Sequence, residues 1–214
     1  MINVGVLASG NGTNLQAILD ASQAEQIPAR VVLVISNEPT AFALERARKH
    51  RVEAVVVNHR DFENRETFEE RLIHELDSQG VELVCLAGFM RILTPFFVRH
   101  YQGRMLNIHP ALLPLFGGKG YYGDKVHRAV LESGMKFSGC TVHFVTEEPD
   151  GGPIVLQAVV PISDDDTVET LAARIHEKEH EIYPRAVGLF AEERLAIEGR
   201  RVRILPSRNT EGKA

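Results

Sequence analysis

The chain has 214 residues, of which 44% are hydrophobic and 25% are charged, and its formal net charge is −5 at pH 7. The negative charge argues against a broad nucleic-acid-binding surface, and no apolar run is long enough to cross a membrane. These numbers are typical of one soluble α/β domain, which we expect in the cytoplasm. Cys85 and Cys140 lie in apolar runs, so we expect buried thiols, and no residue spacing predicts a metal site.

The N-terminal segment predicts a strand, a glycine-rich turn and a helix. Residues 2–8 are apolar, residues 9–14 read SGNGTN, and apolar residues then recur at helical spacing. Free backbone N–H groups at such a helix start favour an anion. Neither GxGxxG nor the P-loop pattern is present, so a single phosphomonoester held by Gly12, Thr13 and Asn14 fits better than a dinucleotide or triphosphate. An ordinary turn whose Asn and Thr cap the helix explains these residues equally well.

Strands and helices then alternate along the chain. Continuous apolar runs at 31–35, 54–57 and 82–87 are typical of strands covered on both faces, and helical patterns span 41–50 and 65–79. The alternation predicts a doubly wound, mostly parallel sheet with right-handed crossovers. In such a sheet, ligands bind outside the carboxyl ends of the strands.

Two features of this region are candidates for ligand contacts. Arg65 follows a polar loop at a helix start, where it can bind a carboxylate, although a solvated arginine is the simpler interpretation. The apolar loop 88–93, GFMRIL, follows the 82–87 strand. It can form a wall for a flat heterocycle, or alternatively a plug under the next helix.

Residues 105–110, MLNIHP, carry the candidate chemistry. Strand alternation directs Asn107 and His109 to one face, and Pro110 keeps His109 extended. An amide can donate to a developing oxyanion, and an imidazole can transfer a proton near neutral pH. Considered alone, the strand is better explained as a polar end with a solvated histidine. Because the glycine-rich turn, the apolar loop and this pair all follow strands, we expect them at one edge of the sheet.

The next segment is rich in glycine. Residues 117–123 predict a mobile loop that closes over the site, although a plain flexible connection fits equally well. His127 is interpreted as a surface or capping residue. His143 is interpreted as structural.

The C-terminal part predicts an antiparallel hairpin, with strands at 139–145 and 154–160. Asp150 lies in the turn between these strands. It either serves the turn alone or pairs with His109 and raises the pKa of the imidazole.

After the hairpin, a long helix is predicted from Thr167 to Glu193, interrupted at Pro184. Glu179 in this helix can accept hydrogen bonds from ligand hydroxyls. Residues 202–205 predict a last strand, and 206–214 a flexible tail.

Taken together, these motifs resemble those of the folate-dependent phosphoribosylglycinamide formyltransferases. The similarity covers residues 1 to about 190 and rests on NIHP at 107–110, LLP at 112–114, DGGP at 150–153, SGNGTN at 9–14, AGFMRIL at 87–93 and EHEIYP at 179–184. It implies a formyltransferase-like, Rossmann-type fold in one domain over residues 1–205. The phosphate-binding half would span about 1–100, and the folate-binding and catalytic half about 101–205.

The resemblance also implies the reaction. A formyl group would pass from the co-substrate 10-formyltetrahydrofolate to the amine of glycinamide ribonucleotide, by direct attack through a tetrahedral intermediate, in de novo purine synthesis. No metal, no covalent enzyme intermediate and no nucleic-acid or membrane partner are implied, and the protein would be a monomer or homodimer.

The family's site residues carry over to matching positions. The catalytic positions match Asn107, His109 and Asp150, with Asp150 keeping His109 charged. The positions that bind the ribonucleotide match Gly12, Thr13, Asn14 and Glu179. The folate-binding positions match Arg65, Met90, Arg91, Ile92 and Leu93. His176 aligns near a position that can approach the phosphate.

Three alternatives remain open at this stage. Methionyl-tRNA formyltransferase and formyltetrahydrofolate hydrolase share the Asn-X-His…Asp core, but each carries an additional domain that we do not expect here. From another class, a non-catalytic module that senses a phosphorylated ligand would keep its binding after His109→Ala and show no turnover with folate.

Overall fold

The computed structural model describes residues 1–207; residues 208–214 of the predicted tail lie outside the described residues. The strands are β1 Ile2–Ala8, β2 Ala29–Ser36, β3 Glu53–Val56, β4 Leu83–Leu86, β5 Met105–His109, β6 Phe137–Phe144, β7 Ile154–Pro161, β8 Leu195–Glu198 and β9 Arg201–Ile204. The helices are α1 Thr13–Gln23, α2 Phe42–Lys49, α3 Arg65–Ser78, α4 Pro95–His100, α5 Asp124–Glu132 and α6 Val168–Ala191, and a single 3₁₀ turn spans His59–Asp61.

The nine strands form one sheet with the order β3-β2-β1-β4-β5-β6-β7-β9-β8. The first five strands in this order pair in parallel. β6 then pairs antiparallel with both β5 and β7. The predicted fold class, a mostly parallel α/β sheet with a C-terminal antiparallel hairpin, is confirmed.

Helices cover both faces of the sheet. Alternate residues of a strand point to opposite faces and pack in two separate hydrophobic cores. Val6 of β1 packs with residues of α1, α5 and α6, whereas the adjacent Leu7 packs with residues of α3 and α4. Tyr183 of α6 is fully buried, and its hydroxyl lies 2.9 Å from the Leu86 carbonyl and 3.0 Å from the Leu106 carbonyl. This contact ties α6 to the ends of the two central strands.

One prediction for the C-terminal part is wrong, and the predicted last strand has a partner that was not predicted. α6 runs without interruption through Pro184, which is buried in the helix interior. Proline lacks a backbone N–H and its ring disfavours a helix locally. Buried residues of α6 lie both before and after Pro184, so their packing stabilises a continuous helix. The last strand is one half of a hairpin, because β8 precedes it. β8 has only four residues, half of them exposed, so its periodicity is too weak to recognise.

The two cysteines behave as predicted. Cys85 and Cys140 are both fully buried. Burial raises the pKa of each thiol to about 12, so neither supplies a thiolate near neutral pH. Among residues 1–207, no helix is both long enough and apolar enough to span a membrane.

Candidate active site

A cavity of about 350 Å³ opens beyond the carboxyl ends of β4 and β5. Nine residues predicted from the sequence line it: Asn14, Met90, Arg91, Ile92, Leu93, Asn107, His109, Asp150 and Glu179. They come from five separate parts of the chain. The parallel sheet aligns the carboxyl ends of its strands and so brings Asn14, the loop 90–93 and the Asn107–His109 pair together. Asp150 reaches the cavity from the turn between β6 and β7, and Glu179 reaches it from α6.

The remaining three predicted residues lie outside the lining of this cavity. Gly12 precedes α1, and Thr13 lines a separate groove of about 660 Å³ between α1 and α6. Arg65 starts α3, and its guanidinium donates to the Ile92 carbonyl at the back of the apolar loop. No carboxylate contacts the Arg65 side chain within residues 1–207.

The turn before α1 leaves the helix start uncapped by side chains. Gly12 occupies the N-cap position with φ +74°, and a Cβ there would lie 2.8 Å from the Cβ of Ala43. Only glycine fits this conformation and this close approach. Since no side chain caps α1, the alternative of a turn capped by Asn and Thr is wrong. The N–H groups of the first turn are therefore free to donate hydrogen bonds to an anion.

The apolar loop between β4 and α4 is fixed at both ends. The backbone N–H of Met90 donates to Ser9 Oγ at 2.7 Å, and the backbone N–H of Thr94 donates to Glu69 at 2.7 Å. Met90 and Ile92 are each 55% exposed towards the cavity side, whereas Phe89 and Leu93 pack on the second core. The loop is thus both anchored in the core and able to offer an apolar wall.

Two of the predicted catalytic side chains, His109 and Asp150, are in contact although they are distant in sequence, and Asn107 lines the same cavity. His109 Nδ1 lies 3.6 Å from Asp150 Oδ2, and His109 Nε2 lies 2.8 Å from the Phe116 carbonyl. The same Asp150 oxygen accepts from the Gly118 backbone N–H at 2.8 Å. Asp150 therefore contacts the imidazole in addition to serving its turn.

The backbone of residues 116–118 contacts both members of this pair. A Cβ on Gly117 would lie 2.5 Å from the Leu113 side chain and 3.2 Å from the Asp150 Cβ. The glycine therefore permits the close approach by which Phe116 and Gly118 reach His109 and Asp150.

Burial controls the protonation of the pair. It lowers the pKa of His109, and this outweighs the opposing effect of the Asp150 charge. The Asp150 charge raises the His109 pKa as predicted, but the net pKa lies below its usual value because burial has the larger effect. For Asp150, burial raises the pKa, but the neighbouring His143 and His109 together with the Gly118 N–H hold it below its usual value. The site thus contains a carboxylate facing an imidazole that is mostly neutral near pH 7.

The comparisons with known proteins agree with this arrangement. Residues 2–187 match the sequence model of a family described as formyl transferase. The chain belongs to the formyl transferase family. The family resemblance read from the sequence motifs is confirmed.

Two similar proteins are matched over 90% or more of both chains, and both have the name of the same activity. The chain is 48% identical to the phosphoribosylglycinamide formyltransferase of Escherichia coli K12 over 196 residues, which is 92% of this chain and 90% of that protein. The crystal structure of glycinamide ribonucleotide transformylase 1 from Symbiobacterium toebii superimposes with a TM-score of 0.92 at 51% identity, covering 96% of this chain and 95% of that one.

A longer relative contains the same unit. The human trifunctional purine biosynthetic protein adenosine-3 is 43% identical over 188 residues, or 88% of this chain. The match spans only 18% of that protein.

Glu179 of this formyl transferase is a buried carboxylate beside the turn. It is 3% exposed, accepts a hydrogen bond from Asn14 Nδ2 at 2.8 Å, and lies 4.0 Å from His176 Nε2. Burial raises the pKa of Glu179, although the bond from Asn14 opposes the shift. Within residues 1–207, no group of three or more His, Cys, Asp or Glu side chains could hold a metal ion.

Sequence reasoning misjudged two histidines that line the cavity. His127 is neither a surface nor a capping residue: it is 2% exposed, in the first turn of α5, where the helix packs against α6. Its neighbour Val126 and the following Val130 share the buried side, a periodicity that could have indicated this. His143 is buried as predicted, but it also contacts the Asn107 and Asp150 side chains.

The buried His127 makes stability depend on pH. Burial, with a smaller effect of His176, lowers its pKa from 6.5 to about 4. Because the unfolded chain binds a proton more readily, the stabilisation is complete above pH 6.5 and is lost as the pH falls towards 4. Chemical denaturation is expected to show that, between pH 7.5 and pH 4.5, the free energy of unfolding of wild type falls by about 2–3 kcal/mol more than that of His127→Gln.

The exposed His74 supplies the control for this experiment. His74→Gln is expected to lose as much stability as wild type between the two pH values. An equal loss in His127→Gln would show that His127 ionises normally in the folded protein.

Proposed function

We propose that this protein transfers the formyl group of 10-formyltetrahydrofolate to the amine of glycinamide ribonucleotide, in de novo purine synthesis. The observation that carries the proposal is the shared cavity, in which Asn107, His109 and Asp150 face the same space as the apolar loop 90–93. Full-length relatives named phosphoribosylglycinamide formyltransferase support the choice of substrates.

The ribonucleotide binds at the α1 end of the site. Its phosphate lies on the uncapped first turn formed by Gly12, Thr13 and Asn14. Its ribose hydroxyls donate to the buried Glu179, which the Asn14 amide holds in position. This assignment is supported by a buried carboxylate whose second oxygen has no hydrogen bond within residues 1–207.

The folate binds along the apolar loop. Its flat pterin packs against Met90, Arg91, Ile92 and Leu93. Arg65 holds the Ile92 carbonyl at the rim of this wall, within reach of a folate carboxylate.

The chemistry follows from the polar side of the cavity. The substrate amine attacks the formyl carbon, a C–N bond forms, and the formyl oxygen becomes an oxyanion. Asn107 donates a hydrogen bond to this oxyanion, and so does the imidazolium of His109 once it has taken up a proton and its Nε2–H has moved from the Phe116 carbonyl to the oxyanion. His109, directly or through a water, moves a proton from the attacking amine to the folate nitrogen, which then leaves as the second C–N bond breaks. Asp150 stabilises the imidazolium during this step.

The remaining assignments belong to the same proposal. Residues 1–205 act as one domain, with the phosphate-binding half over about 1–100 and the folate-binding and catalytic half over about 101–205. The protein works in the cytoplasm as a monomer or homodimer, uses no metal, and needs no nucleic acid or membrane.

One assay tests the function. The protein is mixed with 10-formyltetrahydrofolate and glycinamide ribonucleotide, and deformylated folate is followed by absorbance, with His109→Ala in parallel. Turnover by wild type and none by the variant is expected. No turnover by wild type, with retained ribonucleotide binding, would instead favour a non-catalytic sensor.

Glu179→Gln tests the ribose contact. The amide keeps the size of the side chain but loses the charge that strengthens hydrogen bonds from hydroxyls. The KM for the ribonucleotide is expected to rise by about 10- to 100-fold, with the KM for folate nearly unchanged. The exposed neighbour Glu177→Gln is the matched control on the same helix and should change neither value. Equal weakening of both substrates would remove Glu179 from the ribose site.

A further inference from the structure

His143 contacts polar side chains of the proposed site, and the proposed reaction assigns it no role. It is 2% exposed, on β6, directly opposite Asn107 of β5 in the antiparallel register. Residues opposite each other in such a pair lie close enough for their side chains to interact. The position therefore brings an imidazole against the amide that faces the formyl oxygen.

The contacts of His143 define which ring nitrogen carries the proton. Nδ1 lies 2.9 Å from the Phe144 carbonyl, and a carbonyl oxygen can only accept. Nδ1 must therefore be the N–H donor, and in the neutral ring Nε2 is left as an acceptor. Nε2 lies 3.1 Å from Asn107 Nδ2.

This arrangement selects one of the two orientations of the Asn107 amide. An asparagine amide can turn by half a rotation and exchange its oxygen and nitrogen. The lone pair on His143 Nε2 favours the orientation in which the NH₂ group faces it. The second N–H then has no partner within residues 1–207, so it is available to the formyl oxygen.

The same nitrogen also faces Asp150. His143 Nε2 lies 3.5 Å from Asp150 Oδ1, while Asp150 Oδ2 accepts from Gly118 and faces His109. Asp150 has φ +56°, a conformation that needs support from its surroundings. In this tautomer Nε2 has no hydrogen to donate to the carboxylate, so the contact that His143 can support is the one with Asn107.

We propose that His143 is a positioning residue, whose Nδ1–H tautomer holds the Asn107 amide with its N–H towards the formyl oxygen. The inference rests on the proposed formyl transfer. It assigns to His143 an effect on the rate of the chemical step, with little effect on substrate binding.

Two substitutions separate this role from a structural one. In His143→Asn, the amide occupies the position of Nδ1 and can keep the bond to the Phe144 carbonyl, but nothing reaches Asn107. In His143→Gln, the amide reaches the position of Nε2, where its oxygen can accept from Asn107, while the bond to Phe144 is lost. A positioning role therefore predicts that His143→Gln is the more active of the two variants, whereas a structural role predicts that His143→Asn is the more active.

We expect His143→Asn to lower kcat by about 10- to 100-fold, with both KM values changed by less than about threefold. His143→Gln is expected to recover at least about fivefold of that loss, even if its melting temperature is the lower of the two. Equal kcat in wild type and His143→Asn, or a faster His143→Asn than His143→Gln, would overturn the proposal.

A second measurement does not depend on turnover. Long-range ¹H–¹⁵N correlations of the imidazole in ¹⁵N-labelled wild type at pH 8 are expected to show His143 with a protonated Nδ1 and an unprotonated Nε2. The opposite tautomer would overturn the proposed orientation of Asn107. If wild type fails to turn over the two substrates while this tautomer is found, the proposed function fails and the positioning geometry stands.

Discussion

Asp150→Asn is expected to lower kcat by about 10²- to 10⁴-fold, because proton transfer by His109 loses the carboxylate that stabilises the imidazolium. Asparagine suits the test, since it tolerates the φ of +56° at this position and can still accept from the Gly118 N–H. The variant should therefore fold and bind both substrates. Steady-state kinetics with each substrate varied in turn measures the separate effects on kcat and KM.

The pKa of His109 offers a second measurement on this variant. The charge of Asp150 raises that pKa against the larger, opposite effect of burial. Removing the charge should lower it further, as an NMR titration of the His109 ring protons would show. The exposed Asp165→Asn is the control and should change neither kcat nor the titration. A kcat unaffected by Asp150→Asn would remove Asp150 from the mechanism.

His109→Gln is expected to lower kcat by about 10³-fold or more, since it removes both the proton carrier and one oxyanion donor. The glutamine amide can reach the position of Nε2 and donate to the Phe116 carbonyl, so the contact with residues 116–118 can be kept. Calorimetric titration should then find ribonucleotide affinity close to that of wild type. The measurement is single-turnover formyl transfer, which reports the chemical step directly.

Another histidine substitution provides the matched control for His109→Gln. His74→Gln changes an exposed side chain on α3, outside the cavity lining, and is expected to leave the single-turnover rate unchanged. Transfer by His109→Gln at the wild-type rate would show that another group carries the proton. His127 would then be the next residue to substitute, because it is the other buried histidine in the lining with a lowered pKa.

The prediction of the site from sequence succeeded where the signal was local. Asn107 and His109 line one cavity as expected, since residues two positions apart along a strand face the same side. The apolar loop also lines it, because a loop after a parallel strand must leave at the carboxyl edge. In contrast, Thr13 and Arg65 face other surroundings, and nothing in a turn or a helix start determines which neighbouring helix a side chain will face.

The sequence pattern around His143 predicted its strand but not the residue that it contacts. Alternation along β6 directs Thr141 and His143 to one face, and the hairpin pattern was recognisable. The partner of β6 on its other side, and the register that sets His143 opposite Asn107, depend on how distant segments pair. The local pattern alone therefore supported a structural histidine.

The sequence by itself determined the order of strands and helices as far as α6, the glycine at the α1 start, and the family to which the chain belongs, since all of these depend on residues close together along the chain. Only the tertiary structure decided that Asp150 contacts His109, that His143 contacts Asn107, and that burial outweighs the carboxylate in lowering the pKa of His109. Contact and hydration both depend on which distant segments pack together, and that is a property of the folded chain as a whole.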